Sequence, residues 1–154
     1  MKSFWPKRLI GSCGFGIVLF FSSTICSNFL ARPLRLKIGF TGIDKPELKQ
    51  TCVKEGAIDP CGVIAKEILI KKIGDNKVNC SSEGKDQYKR TLVECFVNDE
   101  SLSSYLVRSG YAFAYRRYSK KFIADENYAK DNAIGMWSMK FDYPWVYRKI
   151  INEE

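Results

Sequence analysis

The feature that most constrains this chain is an uncharged run, Leu9 to Ala31, standing directly behind Lys2, Lys7 and Arg8. A basic flank leading into an apolar segment reads as a targeting segment, which takes these residues out of any folded core. The apolar heart from Phe15 to Phe21 is short, and Ser22, Ser23 and Thr24 follow it, as in a cleaved signal. No small-x-small cleavage site follows, because Ile25 stands two residues before Ser27 and Phe29 two before Ala31. A retained anchor is the alternative, since about 20 apolar residues span a bilayer and residues 9–30 supply 22. The bulky Ile25 beside Cys26 argues against lipidation. The basic flank stays cytoplasmic, so residues 32–154 are expected outside the inner membrane: anchored there, in the periplasm, or extracellular. The expected organisation is a signal peptide or transmembrane anchor over residues 1–31 and one domain over residues 32–154.

Export decides how the cysteines are read. Cys52, Cys61, Cys80 and Cys95 are an even set in an oxidising compartment, which points to disulfides. Three connectivities are open, and the sequential one closes the shortest loops. The spacing lacks the close pairs of a zinc ribbon, and the chain has no His to complete a mixed site. The same absence excludes a Ser/His/Asp or Cys/His nucleophile and imidazole base chemistry. Catalysis would fall to carboxylates, Lys, Arg or Tyr. The formal charge is +8, and it stays at +5 once residues 1–31, with three basic residues and no acidic one, are removed. That excess favours an anionic partner, nucleic acid or an acidic membrane surface.

Along residues 32–154 the pattern is mixed α and β. Leu34, Leu36, Ile38 and Phe40 alternate with Arg35, Lys37 and Gly39, predicting a half-buried strand from Leu34 to Ile43 that ends at the Asp44-Lys45-Pro46-Glu47 turn. Val63, Ile64, Ile68, Leu69 and Ile73 recur at helical spacing, with Gly74 as a stop. Residues 77–82 and 91–97 read as strands joined by a polar turn. Ser101 is placed to cap a short helix that Gly110 ends. Residues 111–115 read as extended, and residues 123–133 as a polar-faced helix.

Several short blocks then carry a resemblance. They are G-I-D-K-P-E at 42–47, Q-T-C at 50–52, C-G at 61–62, D-Q-Y-K-R-T-L at 86–92, L-V-R-S-G-Y-A at 106–112, A-Y-R-R-Y-S at 114–119 and G-M-W at 135–137. In this order and spacing they resemble the staphylococcal-nuclease-like, or thermonuclease, family, from about residue 35 to residue 148. The resemblance implies an α+β fold, an OB-type five-stranded barrel with packed helices. It also implies the sequential pairing Cys52 with Cys61 and Cys80 with Cys95. The implied chemistry is calcium-dependent hydrolysis of DNA and RNA phosphodiesters: a carboxylate activates water, arginines hold the phosphate, and Asp oxygens hold the metal.

Carried over position by position, Glu47 stands at the general base, Arg90 at a catalytic phosphate-binding arginine and Asp44 at a metal ligand. Tyr88 matches a tyrosine of the Arg90 loop. Tyr115, Arg116 and Arg117 form a basic aromatic cluster suited to stacking bases and contacting phosphates. Three departures point to reduced or lost activity. Gly39 stands where the family has an arginine; Lys37, roughly 6.6–6.8 Å away on the same strand face, is a partial substitute without the bidentate fork. The family's first strand pair, with another metal-binding Asp, belongs ahead of residue 35, where the apolar segment stands, so it is expected to be missing. Lys45 puts a cation beside the metal position, where calcium wants six to eight oxygens.

Each residue also has a purely structural reading. Asp44 and Glu47 can simply close a strand end, and Arg90 can be a solvated charge. Arg116 and Arg117 can snorkel over packed aromatics. Trp137, Tyr143, Pro144 and Trp145 read as a packed C-terminal clasp. The functional expectation is an exported or membrane-anchored thermonuclease-like phosphodiesterase with DNA or RNA as partner, calcium as the implied cofactor and no protein partner. The alternative is a catalytically inactive, membrane-tethered nucleic-acid-binding module.

Overall fold

The alternating stretch predicted as one strand through Ile43 is cut at Thr41 and Gly42. Gly42 takes a φ of +71°, a conformation open to glycine and costly for a side chain. In the computed structural model, which describes residues 38–153, the result is two strands with different partners: β1 (Ile38–Phe40) and β2 (Ile43–Asp44). A hairpin follows, β3 (Cys52–Lys54) and β4 (Ala57–Asp59), then helix α1 (Cys61–Ile73). Next come β5 (Asn79–Lys85), β6 (Thr91–Val97), β7 (Glu100–Ser101), α2 (Leu102–Arg108), β8 (Phe113–Ala114), α3 (Ile123–Asp131) and α4 (Pro144–Glu153).

The main sheet runs β1-β6-β5, with β7 also pairing with β6. The β1–β6 pair is parallel, with Gly39 opposite Leu92, and β5–β6 is antiparallel, with Cys80 opposite Cys95. Strand β2 pairs antiparallel with β8, Asp44 facing Phe113 in the register. Among the described residues the strands thus form three sheets and do not close into one hydrogen-bonded barrel. The α+β class stands.

Local chemistry explains the element ends. Ser101 Oγ accepts from the Ser104 N–H at 3.2 Å, capping α2. Lys71 and Lys72 sit in the last turn of α1, where the helix dipole favours cations. Pro144 opens α4 at the position where a missing N–H costs nothing. The β3–β4 hairpin, not foreseen in the sequence, turns through Glu55 and Gly56, both with positive φ as tight primed turns require. The segment expected as a packed clasp does pack on the core through Trp137, Tyr143 and Trp145, and it continues into α4.

Both disulfides are sequential, Cys52–Cys61 with Cα atoms 5.8 Å apart and Cys80–Cys95 with 4.0 Å. The first is wholly buried in a cluster with Phe113 and Met136, against which Trp137, Phe141, Tyr143 and Trp145 pack. Phe113 lies at its centre, its ring 5.2–5.4 Å from those of Trp137, Phe141 and Tyr143. The targeting segment, residues 34–37 of the expected first strand and Lys37 as a substitute cation lie outside the described residues. Among the described residues no helix is long and apolar enough to cross a membrane.

Candidate active site

The turn after β2 is held from three sides. Its backbone closes on itself where the Gln50 N–H donates to the Glu47 carbonyl at 2.9 Å. Gln50, fully buried, accepts from the Glu47 N–H through Oε1 at 3.3 Å and donates through Nε2 to the Asp142 carbonyl at 2.6 Å. Its own carbonyl accepts from the Gly62 N–H at 3.1 Å, which seats the start of α1 against the turn. Residue 62 must be glycine there, since a Cβ would stand 1.8 Å from the Glu47 carbonyl oxygen. One buried amide therefore joins the carboxylate turn to the segment that launches α4.

Helix α4 delivers the residue that completes this turn. Arg148 Nη1 donates to Asp44 Oδ1 at 3.1 Å and to Glu47 Oε1 at 3.0 Å, while Nη2 donates to Asp44 Oδ2 at 2.5 Å. Asp44 is 13% exposed, Glu47 36% and Arg148 37%, so the cluster is half-buried yet open to solvent. Tyr147 Oη donates to the Lys49 carbonyl at 3.3 Å, a second tether from α4 to the turn. Burial alone would lower the Arg148 guanidinium, but Asp44 and Glu47 raise it above its ordinary value. Burial also pushes the neighbouring Lys45 ammonium below its ordinary value, against the pull of Glu47 and Asp44 and with the push of Arg148 and Arg90.

Arg90 belongs to a separate small assembly in the turn between β5 and β6. Asp86 Oδ1 accepts from the Tyr88 and Arg90 N–H groups at 2.9 and 2.8 Å, and Arg90 Nε donates to Asp86 Oδ2 at 2.5 Å. Burial pushes the Asp86 carboxyl up, but these Arg90 and Tyr88 contacts outweigh it and hold the group below its ordinary range. The Arg90 guanidinium carbon lies 5.5 Å from the centre of the exposed Tyr88 ring.

The basic aromatic cluster follows β8. The Tyr115 N–H donates to the Gly42 carbonyl at 2.9 Å, placing Tyr115 just beyond the β2–β8 pair that carries Asp44. Its ring packs edge-on against Tyr118 with centroids 4.9 Å apart. Arg116 is tied to the buried Glu126 at 2.6 Å, whereas Arg117 is exposed beside Tyr118. An open depression of about 600 Å³ is walled by Tyr115, Arg116, Arg117, Lys130, Trp137 and Trp145, among others. Trp145 belongs to α4, one helical turn before Arg148.

These residues do not make a calcium site. Among the described residues no three His, Cys, Asp or Glu side chains come together. Both oxygens of Asp44 and one of Glu47 are engaged by Arg148, with Lys45 adjacent in sequence. A cation that wants six to eight oxygens is poorly served by such a donor set. Gly39 leaves room for a side chain, its nearest neighbour to a new Cβ being Leu92 Cδ2 at 3.4 Å.

The structure thus joins Asp44 and Glu47 in one cluster, holds Tyr88 with Arg90 in a second and sets Tyr115, Arg116 and Arg117 in a third. Sequence reasoning missed Arg148 and Gln50. A signal for Arg148 existed in the spacing of Pro144, Tyr147, Arg148 and Ile151, one face of a helix opened by proline.

A family profile described as staphylococcal nuclease homologue matches residues 37–139, ending ahead of α4. The chain is 30% identical over 129 residues to a probable staphylococcal-like nuclease of Oryza sativa subsp. japonica, covering 80% of this chain and 31% of the relative. It is 30% identical over 106 residues to an uncharacterized endonuclease of Haemophilus influenzae, covering 67% of this chain and 54% of the relative. An uncharacterized 38.1 kDa protein of Capnoides sempervirens is 28% identical over 125 residues, 79% of this chain and 34% of that one. The chain therefore spans about a third to a half of the length of these relatives.

Proposed function

The chain belongs to the staphylococcal nuclease homologues, and from that premise we propose that it is an exported or membrane-anchored phosphodiesterase of DNA or RNA with low turnover. The observation that carries this reading is the joining of Asp44, Glu47 and Arg148 in one solvent-open cluster. Glu47 takes a proton from the attacking water. As the water oxygen bonds to phosphorus and the bond to the leaving oxygen breaks, that oxygen taking a proton from solvent, the Arg148 guanidinium stabilises charge growing on the phosphate oxygens, and Arg90 of the β5–β6 turn is a second donor once released from Asp86. Tyr88, Tyr115 and Arg117 hold the strand by stacking and charge. No step is routed through calcium, because the donor set does not suit it.

Low turnover follows from Gly39. The loss of one preorganised donor to a developing oxyanion typically costs about 100- to 1000-fold in rate. Export is supported by the basic flank ahead of the apolar run and by the two disulfides, which favour an oxidising compartment. A second reading, a tethered nucleic-acid-binding module without turnover, is supported by the cationic aromatic depression beside β8.

The test is cleavage of a labelled single-stranded oligonucleotide and of supercoiled plasmid by the full chain, with calcium and with chelator. Slow cleavage, cut by roughly 100-fold or more in Glu47→Gln, is the expected result. Retention of the oligonucleotide with no cleavage above background would favour the binding module.

A further inference from the structure

We infer that Arg148 is the resident cation of the Asp44–Glu47 pair and excludes a divalent metal from it. The guanidinium spans the two carboxylates, taking both oxygens of Asp44 and one of Glu47. A planar fork meets carboxylates in a bidentate way that a point charge cannot. Together with Lys45 it brings the local count to two anions and two cations, leaving no net negative charge to draw a metal.

The cation is also anchored independently of its ion pairs. Pro144 is fully buried, and the Trp145 ring stacks on Tyr143 with centroids 4.5 Å apart. Gln50 holds the Asp142 carbonyl, and Tyr147 holds the Lys49 carbonyl. Helix α4 is thus fixed to the same turn that carries Glu47, at its start and beside Arg148. A metal entering the pair would have to displace a side chain whose backbone stays in place. Nε–H and the second Nη2–H of Arg148 make none of these carboxylate contacts. The inference rests on Asp44 and Glu47 being the site's carboxylates, but not on turnover.

The experiment is calorimetric titration of calcium alone into the full chain and its variants, each checked for folding by circular dichroism. Arg148→Gln is expected to bind calcium at least tenfold more tightly than the unmodified chain. Adding Asp44→Asn to that variant should return binding to the starting level. Arg148→Lys, which keeps the charge but loses the fork, should bind calcium at a level between the unmodified chain and Arg148→Gln. Equal binding by the unmodified chain and Arg148→Gln, at any level including none, would overturn the inference. So would a gain that survives Asp44→Asn. A chain that shows the calcium gain yet cleaves no nucleic acid would overturn the nuclease reading alone.

Discussion

A methyl group at residue 62 would stand 1.8 Å from the Glu47 carbonyl oxygen and 2.9 Å from the Leu48 carbonyl carbon. Neither atom can move without shifting the turn that holds Glu47. Gly62→Ala should therefore cost roughly 1–3 kcal/mol by overpacking, read from urea denaturation, and should depress any Glu47-dependent activity more than the lost stability alone explains. Equal stability of the two proteins would show that α1 does not press on this turn. At this scale the sequence told the reader about neighbours and little else. Asp44 and Glu47 were legible because a D-x-P-E turn is a local pattern, with its proline and carboxylates three residues apart. Arg148 was not, because it meets Asp44 across 104 residues of chain. Gln50 entered only as a letter of the Q-T-C block with no role attached, and only its hydrogen bonds reveal that it spans from the Glu47 turn to Asp142.

Elements with strong periodicity or clear ends were legible, and those defined by distant partners were not. Helix α1 was marked by its apolar spacing and Gly74, and α2 by Ser101. The first strand was read through Gly42 because alternation alone does not reveal where pairing changes hands from β6 to β8. Helix α4 was hidden by its aromatic content, since Pro144 and Trp145 read as part of a clasp with Trp137 and Tyr143 before they read as the start of a helix. The β5–β6 hairpin gives a test at this scale. Its fourteen-residue Cys80–Cys95 interval is closed by a bond between directly opposed positions. Replacing both cysteines by serine should lower unfolding free energy by about 2–4 kcal/mol, near the chain-entropy value for such a loop. Thermal unfolding of the double variant checks this, and an unchanged midpoint would mean the hairpin register is fixed by the strands alone.

Over the whole molecule the charge excess is the legible quantity, and the arrangement of strands is not. Ordered blocks carried the family, but parallel pairing of residues 38–40 with residues 91–93 joins chain segments that no local pattern links. The basic excess makes single-stranded nucleic-acid binding salt-dependent. With Arg116 engaged by Glu126 and Arg90 by Asp86, Arg117 and Lys130, which both line the depression beside β8, are the main contributors, so a plot of log affinity against log salt should have a slope of roughly −1 to −2. Fluorescence anisotropy with a labelled oligonucleotide measures it, and a flat plot would remove phosphate contact from the account. The docking of α4 on the carboxylate turn has a consequence in time. Asp142, Tyr147 and Arg148 follow the residues they secure by some ninety to a hundred positions in sequence. Synthesis proceeds at about 5–20 residues per second, so a growing chain carries the Glu47 turn for several seconds before its guanidinium exists. Until then Asp44 and Glu47 stand side by side without the cation that joins them.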